Sequence, residues 1–202
     1  MYVNRTMQNL KEKQAAKTRA VLVKTARRLF AKRGYGGVSA EEVVASARLT
    51  RGALYHHFKN GKAGLFRAVV VEAMQEVRER IAKAARGARD PLKALELGVS
   101  AFLDACTTPE LQRILLVDGP AVLGWQAWRA LDLEHGIGLL RDGLRRAAAA
   151  GQMDLPDVET ASHLVAGALI DGAMIIASAK RHKIARRQVE RSMLDLLRGF
   201  AC

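Results

Sequence analysis

Apolar positions recur three and four residues apart along most of the chain, and sustained period-two alternation is missing, which predicts helices throughout. A loose tail is expected over 1–10, then a first helix over 11–33 with Val21, Thr25, Arg28, Leu29 and Phe30 along its apolar edge. Gly34, Gly36 and Gly37 stop it, with Tyr35 as a core plug. Ser39 is a good N-cap, and Glu42 three residues later completes a capping box. The second helix then runs to about 47, with Val43, Val44 and Ala47 inward. After Arg48-Leu49 a third short helix spans 50–57, capped by Thr50. Leu54 and Phe58, four apart, share the face that anchors it. Two short helices joined by a tight turn make a helix-turn-helix.

A long fourth helix follows the Asn60-Gly61 break, over about 62–85, with Leu65, Phe66, Val69, Val77 and Ile81 on its packing side. Asp90 as N-cap and Pro91 in the first turn start a fifth at 91–106. A sixth opens at Thr108-Pro109 and ends near Asp118-Gly119-Pro120. The seventh is expected from there to about 149, bent at Gly136 and Gly138, the eighth over 157–180 and the ninth over 186–200. The fold class is all-α, with about nine helices. A three-helix helix-turn-helix domain is expected over 1–60 and a larger helical domain over 61–202, with helix four leading from one to the other.

The third helix carries groups that suit DNA. Arg51 near its start can reach a base edge or a phosphate. Gly52 and Ala53 are small enough to let the helix sit deep in a groove. Tyr55, His56 and His57 offer hydroxyl and imidazole donors to phosphates. Packing with a satisfied hydroxyl remains open for Tyr55, as does plain solvent exposure for His56.

Charge sharpens this picture. Of the net +13, residues 1–60 hold 13 Lys/Arg against 3 Asp/Glu, while 61–202 hold 20 against 17. A basic excess focused in one third is the electrostatic footprint of a polyanion binder, unless it is simply a solvated basic tail.

Other classes lose ground. The two cysteines, Cys106 and Cys202, are too far apart for a zinc pattern or a disulfide framework, so no metal and no cofactor is expected. Met-Tyr-Val-Asn-Arg-Thr has no secretory character. The richest apolar stretch, 161–177, is broken by Ser162, His163 and Asp171, so no membrane partner is expected. One His and one Asp, His163 and Asp171, are too few for a metal site. Cys106 has no partner that would make it a redox sensor. No nucleophile–base pair or phosphate loop stands out, which speaks against an enzyme.

With these residues in view, the stretch from about Thr25 to Phe66 resembles the tetracycline-repressor (TetR) family of bacterial transcription regulators. Carrying the resemblance are Ala26, Leu29, Phe30, Gly34, Tyr35, Ser39, Val43, Ala47, the run Thr50–Phe58, Lys62, Leu65 and Phe66. There are two departures. Arg48 stands where most members have Gly, in a turn that often needs φ > 0, so either the strain is accepted or the turn differs. Residues 60–65 hold one residue more than the usual spacing before Leu65.

The resemblance implies a ligand-responsive regulator, usually a repressor, acting in the bacterial cytoplasm and on the nucleoid when bound to DNA. It implies a homodimer on double-stranded DNA, with a recognition helix in each major groove of a palindromic operator. Arg51 is then the first choice for base readout. Tyr55, His57 and Lys62 would bind phosphates, with Ser39 both a cap and a phosphate donor. An alternative is a non-specific or architectural DNA binder. The eighth and ninth helices would form the dimer surface through Leu164, Ala168, Leu169, Gly172, Ile176, Val189, Met193, Leu196, Leu197 and Phe200, or be buried within one subunit. A small hydrophobic effector would sit among helices four to eight, with Phe102, Cys106, Leu116, Trp125, Trp128 and Met174 as candidate contacts or as ordinary core.

Overall fold

The computed structural model describes residues 2–200, and they are helical nearly throughout. Contacts divide the chain into two compact units, one reaching Val70 and the other starting at Val71. The division falls inside a helix rather than near residue 60.

The first unit holds α1 (Tyr2–Arg33), α2 (Ala40–Ser46), α3 (Arg51–His57) and the opening of α4 (Gly61–Ala85). The expected loose tail over 1–10 is corrected, because α1 is continuous from Tyr2. The face of α1 that enters the core is Leu22, Val23, Ala26, Leu29 and Phe30, whereas Val21 and Arg28 are exposed. Five inward positions within nine residues make a stripe of helical width, and Val21 and Arg28 lie just off it. Phe30, Tyr35 and Phe66 close an aromatic cluster with ring centroids 4.9–5.6 Å apart, so Tyr35 does act as the plug. Val43, Leu54, Phe58 and Leu65 fill the remainder.

Both short helices start as their caps dictate. Ser39 Oγ accepts from Glu42 N–H at 3.1 Å, and a Glu42 carboxylate oxygen accepts from Ser39 N–H at 2.8 Å. Thr50 Oγ1 accepts from Ala53 N–H at 3.2 Å. The turn between them is of Schellman type: Leu49 N–H reaches Val44 O at 2.9 Å and Arg48 N–H reaches Ala45 O at 3.1 Å. Arg48 sits at φ 53°, the one positive-φ residue other than glycine among those described. The turn is therefore the geometry that glycine favours, and Arg48 accepts the strain of about 1–2 kcal/mol.

The second unit contains the remainder of α4 and α5 (Pro91–Cys106), α6 (Pro109–Leu111), a π-helical segment (Gln112–Asp118), α7 (Gly119–Leu123), α8 (Trp125–His135), α9 (Ile137–Ala149), α10 (Val158–Ser178) and α11 (His182–Arg198). The single seventh helix expected to 149 is broken into three. Gly124, at φ 78°, ends α7, and a second break falls at Gly136. The expected sixth helix widens into π geometry from Gln112, which turns Leu115 and Leu116 inward.

α5, α9, α10 and α11 pack on one another around Leu103, Leu144, Val165, Leu169, Ile176 and Leu197. The α10 helix, 21 residues with mean hydropathy 1.5 over its most apolar window, is long and apolar enough to cross a membrane by length and composition. Here one of its apolar sides is taken up by α5, α9 and α11. Arg186 ties α11 to α5, donating to Ser100 Oγ at 2.9 Å and pairing with Asp104.

Candidate nucleic-acid interface and effector cavity

In α3 the sequence separates an anchoring side from a presenting side. Leu54 is fully buried and Phe58 nearly so, while Arg51, Gly52, Tyr55 and His56 are exposed. Ala53 and His57 are intermediate. The capped N-terminus holds the backbone, and two apolar anchors hold the opposite face. The exposed groups are thus presented on a rigid element.

Arg51 is two-thirds exposed, 3.4 Å from Glu41 and 5.5 Å from the Tyr55 ring centroid. An exposed pair of this kind is weak, so Arg51 is readily exchanged to another acceptor. Tyr55 is held from its other side by Gly61, whose φ is 54°. A Cβ on Gly61 would lie 2.9 Å from Tyr55 Cε1, so this site needs glycine both for its backbone and for the ring. Lys62 Nζ lies 3.9 Å over the Tyr35 ring, half-buried, and desolvation lowers its pKa. Its stem is thereby anchored at the start of α4. Burial, with help from neighbouring His56 and Arg19, also lowers the His57 pKa, so His57 presents a neutral imidazole at physiological pH. Ser39 remains exposed, its oxygen engaged in the cap.

The second unit holds a half-open cavity of about 530 Å³ walled by α4, α5, the π-helical segment, α8, α9 and α10. Of the candidates read from sequence, Phe102, Cys106, Leu116 and Trp128 line it. Trp125 and Met174 do not, and this is a correction: they are 60 % and 42 % exposed. Trp125 follows the Gly124 break and packs its ring on the outer side of Trp128, centroids 5.3 Å apart. Met174 lies one turn past the wall residue Ile170 on α10, beyond the cavity and exposed.

Sequence reasoning missed Met74, Val77, Ile81, Gly98, Asp132 and Gly143, all in the wall. The signal for the α4 residues was present in its apolar stripe, but nothing local tells a cavity wall from a core. Asp132 pairs with Arg129, and burial raises its pKa. Burial also pushes the Cys106 thiol up to about 12, which keeps it protonated. Cys202 lies outside the described residues. Among those described, no group of three His, Cys, Asp or Glu is arranged to hold a metal.

The residues assigned to a dimer surface divide. Leu169, Gly172, Ile176, Met193 and Leu197 are buried in the protomer's own core, and Ala168, Val189 and Phe200 are partly buried against it. This corrects the sequence-based assignment: an all-round apolar helix satisfies its protomer with one side. A Cβ on Gly172 would lie 2.6 Å from Val189 Cγ1, so the small residue serves the packing of α10 on α11 within the chain. Leu164 and Leu196 are exposed, and Met174, Ile175 and Ile184 join them as large exposed apolar residues of the same two helices.

Comparison with known proteins agrees with this division of labour. Residues 22–69 match the model for bacterial regulatory proteins of the tetR family, and residues 92–200 match that for the tetracyclin repressor-like C-terminal domain. The transcriptional regulator TtgR of Pseudomonas putida is 32 % identical over 157 residues, which cover 71 % of this chain and 73 % of that protein. The transcriptional repressor BepR of Brucella suis is 28 % identical over 164 residues, 75 % and 77 % of the two chains. A TetR-family transcriptional regulator from Pectobacterium atrosepticum superposes with a TM-score of 0.81 at 32 % identity, over 93 % of this chain and 96 % of that one.

Proposed function

The chain belongs to the TetR family of ligand-responsive, DNA-binding transcriptional regulators, and from that premise we propose that it is a homodimeric repressor of a palindromic operator, released by a small molecule bound in its second unit. The observation that carries this reading is α3. A capped helix is anchored by Leu54 and Phe58 and offers Arg51, Tyr55 and His56 to solvent within the basic third of the chain. Arg51 reads a base edge, bidentate contact to guanine being the commonest specific one. Tyr55, Lys62 and the neutral His57 take phosphates, and Ser39 adds a hydroxyl.

Two-fold symmetry of the protein makes the operator palindromic. The dimer forms through the exposed apolar stripe of α10 and α11. The effector occupies the 530 Å³ cavity, a size within the range of small-molecule sites. Its binding shifts the population between two spacings of the recognition helices, and so lowers operator affinity by the same coupling energy that the operator exerts on the effector. The protein works in the bacterial cytoplasm, on the nucleoid while DNA-bound.

Selection of bound fragments from a random DNA pool at near-physiological salt, followed by footprinting, tests this. One recovered palindrome is the expected result. Recovery without sequence preference, with binding that collapses as salt rises, would overturn it in favour of a non-specific binder held by charge alone.

A further inference from the structure

The polar side chains in the wall of the effector cavity are Arg78, Arg86, Arg146, Trp128, Asp132 and Cys106. Asp132 is the single acidic one, and Arg129 already engages it. Cys106 stays a thiol. Trp128 is 3 % exposed, and its Nε1–H is packed against Gly119, away from the cavity. Arg78, Arg86 and Arg146 are exposed and have no ion pair or hydrogen-bond partner among the described residues. The unengaged groups that remain open to a ligand are therefore strong donors, the three guanidinium groups.

They are not scattered. Gln152 Nε2 donates to Asp90 Oδ1 at 3.0 Å, which ties the end of α9 to the start of α5. Arg86 precedes that start and Arg146 precedes that end, so both belong to one end of the cavity. Trp128 and Cys106 belong to the other, where α5 finishes. Between the two ends the wall is Ile81, Leu95, Phe102 and Leu140, all apolar.

We infer that the effector is an amphiphilic organic anion, with an acceptor-rich head such as a carboxylate at Arg86 and Arg146 and an apolar body along the middle. A guanidinium fork matches a carboxylate in geometry and charge. This rests on the reading of the cavity as the effector site.

Calorimetric titration of the full-length protein with dodecanoate, 1-dodecanol and dodecylamine, each below its aggregation threshold, tests it. Dodecanoate is expected to bind at least about tenfold more tightly than the other two, and the double variant Arg86→Gln/Arg146→Gln to bring it down to the level of the alcohol. Gly98→Leu, which fills the space beside Ile81, is expected to block all three while the thermal melt remains cooperative. Equal binding of the alcohol or the amine, an unaffected double variant, or no binding of dodecanoate to the wild-type protein would overturn the anion inference. In that case a block by Gly98→Leu of whichever probes still bind leaves the cavity as the effector site. Dodecanoate binding undiminished in Gly98→Leu would instead overturn the cavity reading itself.

Discussion

Two leucines five residues apart on α10 have opposite roles, and glutamate at each gives opposite outcomes. Leu164 is 67 % exposed and Leu169 is 7 % exposed in the protomer. Full burial of a leucine is worth about 1.5–3 kcal/mol, so covering the remaining two-thirds of Leu164 is worth about 1–2 kcal/mol. A two-fold interface contains both copies, which makes about 2–4 kcal/mol for the dimer. Leu164→Glu should therefore weaken dimerisation about 30- to 700-fold, and more if the carboxylate is desolvated. It should leave protomer stability within about 0.5 kcal/mol, as exposed substitutions do. Leu169→Glu loses about 1.5–3 kcal/mol of burial and places an unpaired carboxylate among Val165, Ile176 and Leu197, a further cost of several kcal/mol. Against a total stability of about 5–15 kcal/mol, that variant should lose helical signal or melt far earlier. Sedimentation equilibrium and far-ultraviolet circular dichroism separate the two effects. A Leu164→Glu protein with the wild-type dimer constant would refute the α10 stripe as the interface. A folded, cooperative Leu169→Glu protein would refute its place in the core.

Arg51→Ala should relax sequence preference at one operator position by about 1–3 kcal/mol of discrimination, read by fragment selection, and an unchanged preference would remove Arg51 from base readout. Arg48→Gly relieves about 1–2 kcal/mol of left-handed strain but restores about 0.4–1 kcal/mol of unfolded-state entropy, so chemical denaturation should find it neutral to about 1.6 kcal/mol more stable. A loss of more than about 1 kcal/mol would mean that the Arg48 side chain itself stabilises the turn. In a Cys202→Ser background, Cys106 should resist iodoacetamide at mildly alkaline pH, because its pKa near 12 leaves almost no thiolate, and should react once denaturant unfolds the chain. Rapid alkylation of the native protein would contradict the burial of that thiol.

Much of the DNA-binding unit was legible in the sequence because its signals are local. The Ser39–Glu42 capping box, the Thr50 cap and the Leu54/Phe58 pair each act within four residues, and the structure holds all of them. The Arg48 turn was legible as a question, and the backbone hydrogen bonds of Leu49 and Arg48 answer it. The resemblance rested on the same segment, so family and function came with it. In the second unit the sequence marked Asp90-Pro91 and the α10 apolar run correctly, yet it merged α8 with α9 and overlooked Gly124 as a helix break.

By itself, then, the sequence determined the helical class, the helix-turn-helix with its caps, the basic third and the family. It did so because capping, helical period and charge are properties of neighbours along the chain. Only the tertiary structure decided which apolar residues are core, cavity wall or free face. Phe102 and Trp128 became wall while Trp125 and Met174 became surface, and Leu169 went inward while Leu164 stayed out. All six are apolar residues on amphipathic or apolar helices. What separates them is which other helix arrives on which side, and the hydrophobic effect, having no direction of its own, leaves that choice to packing.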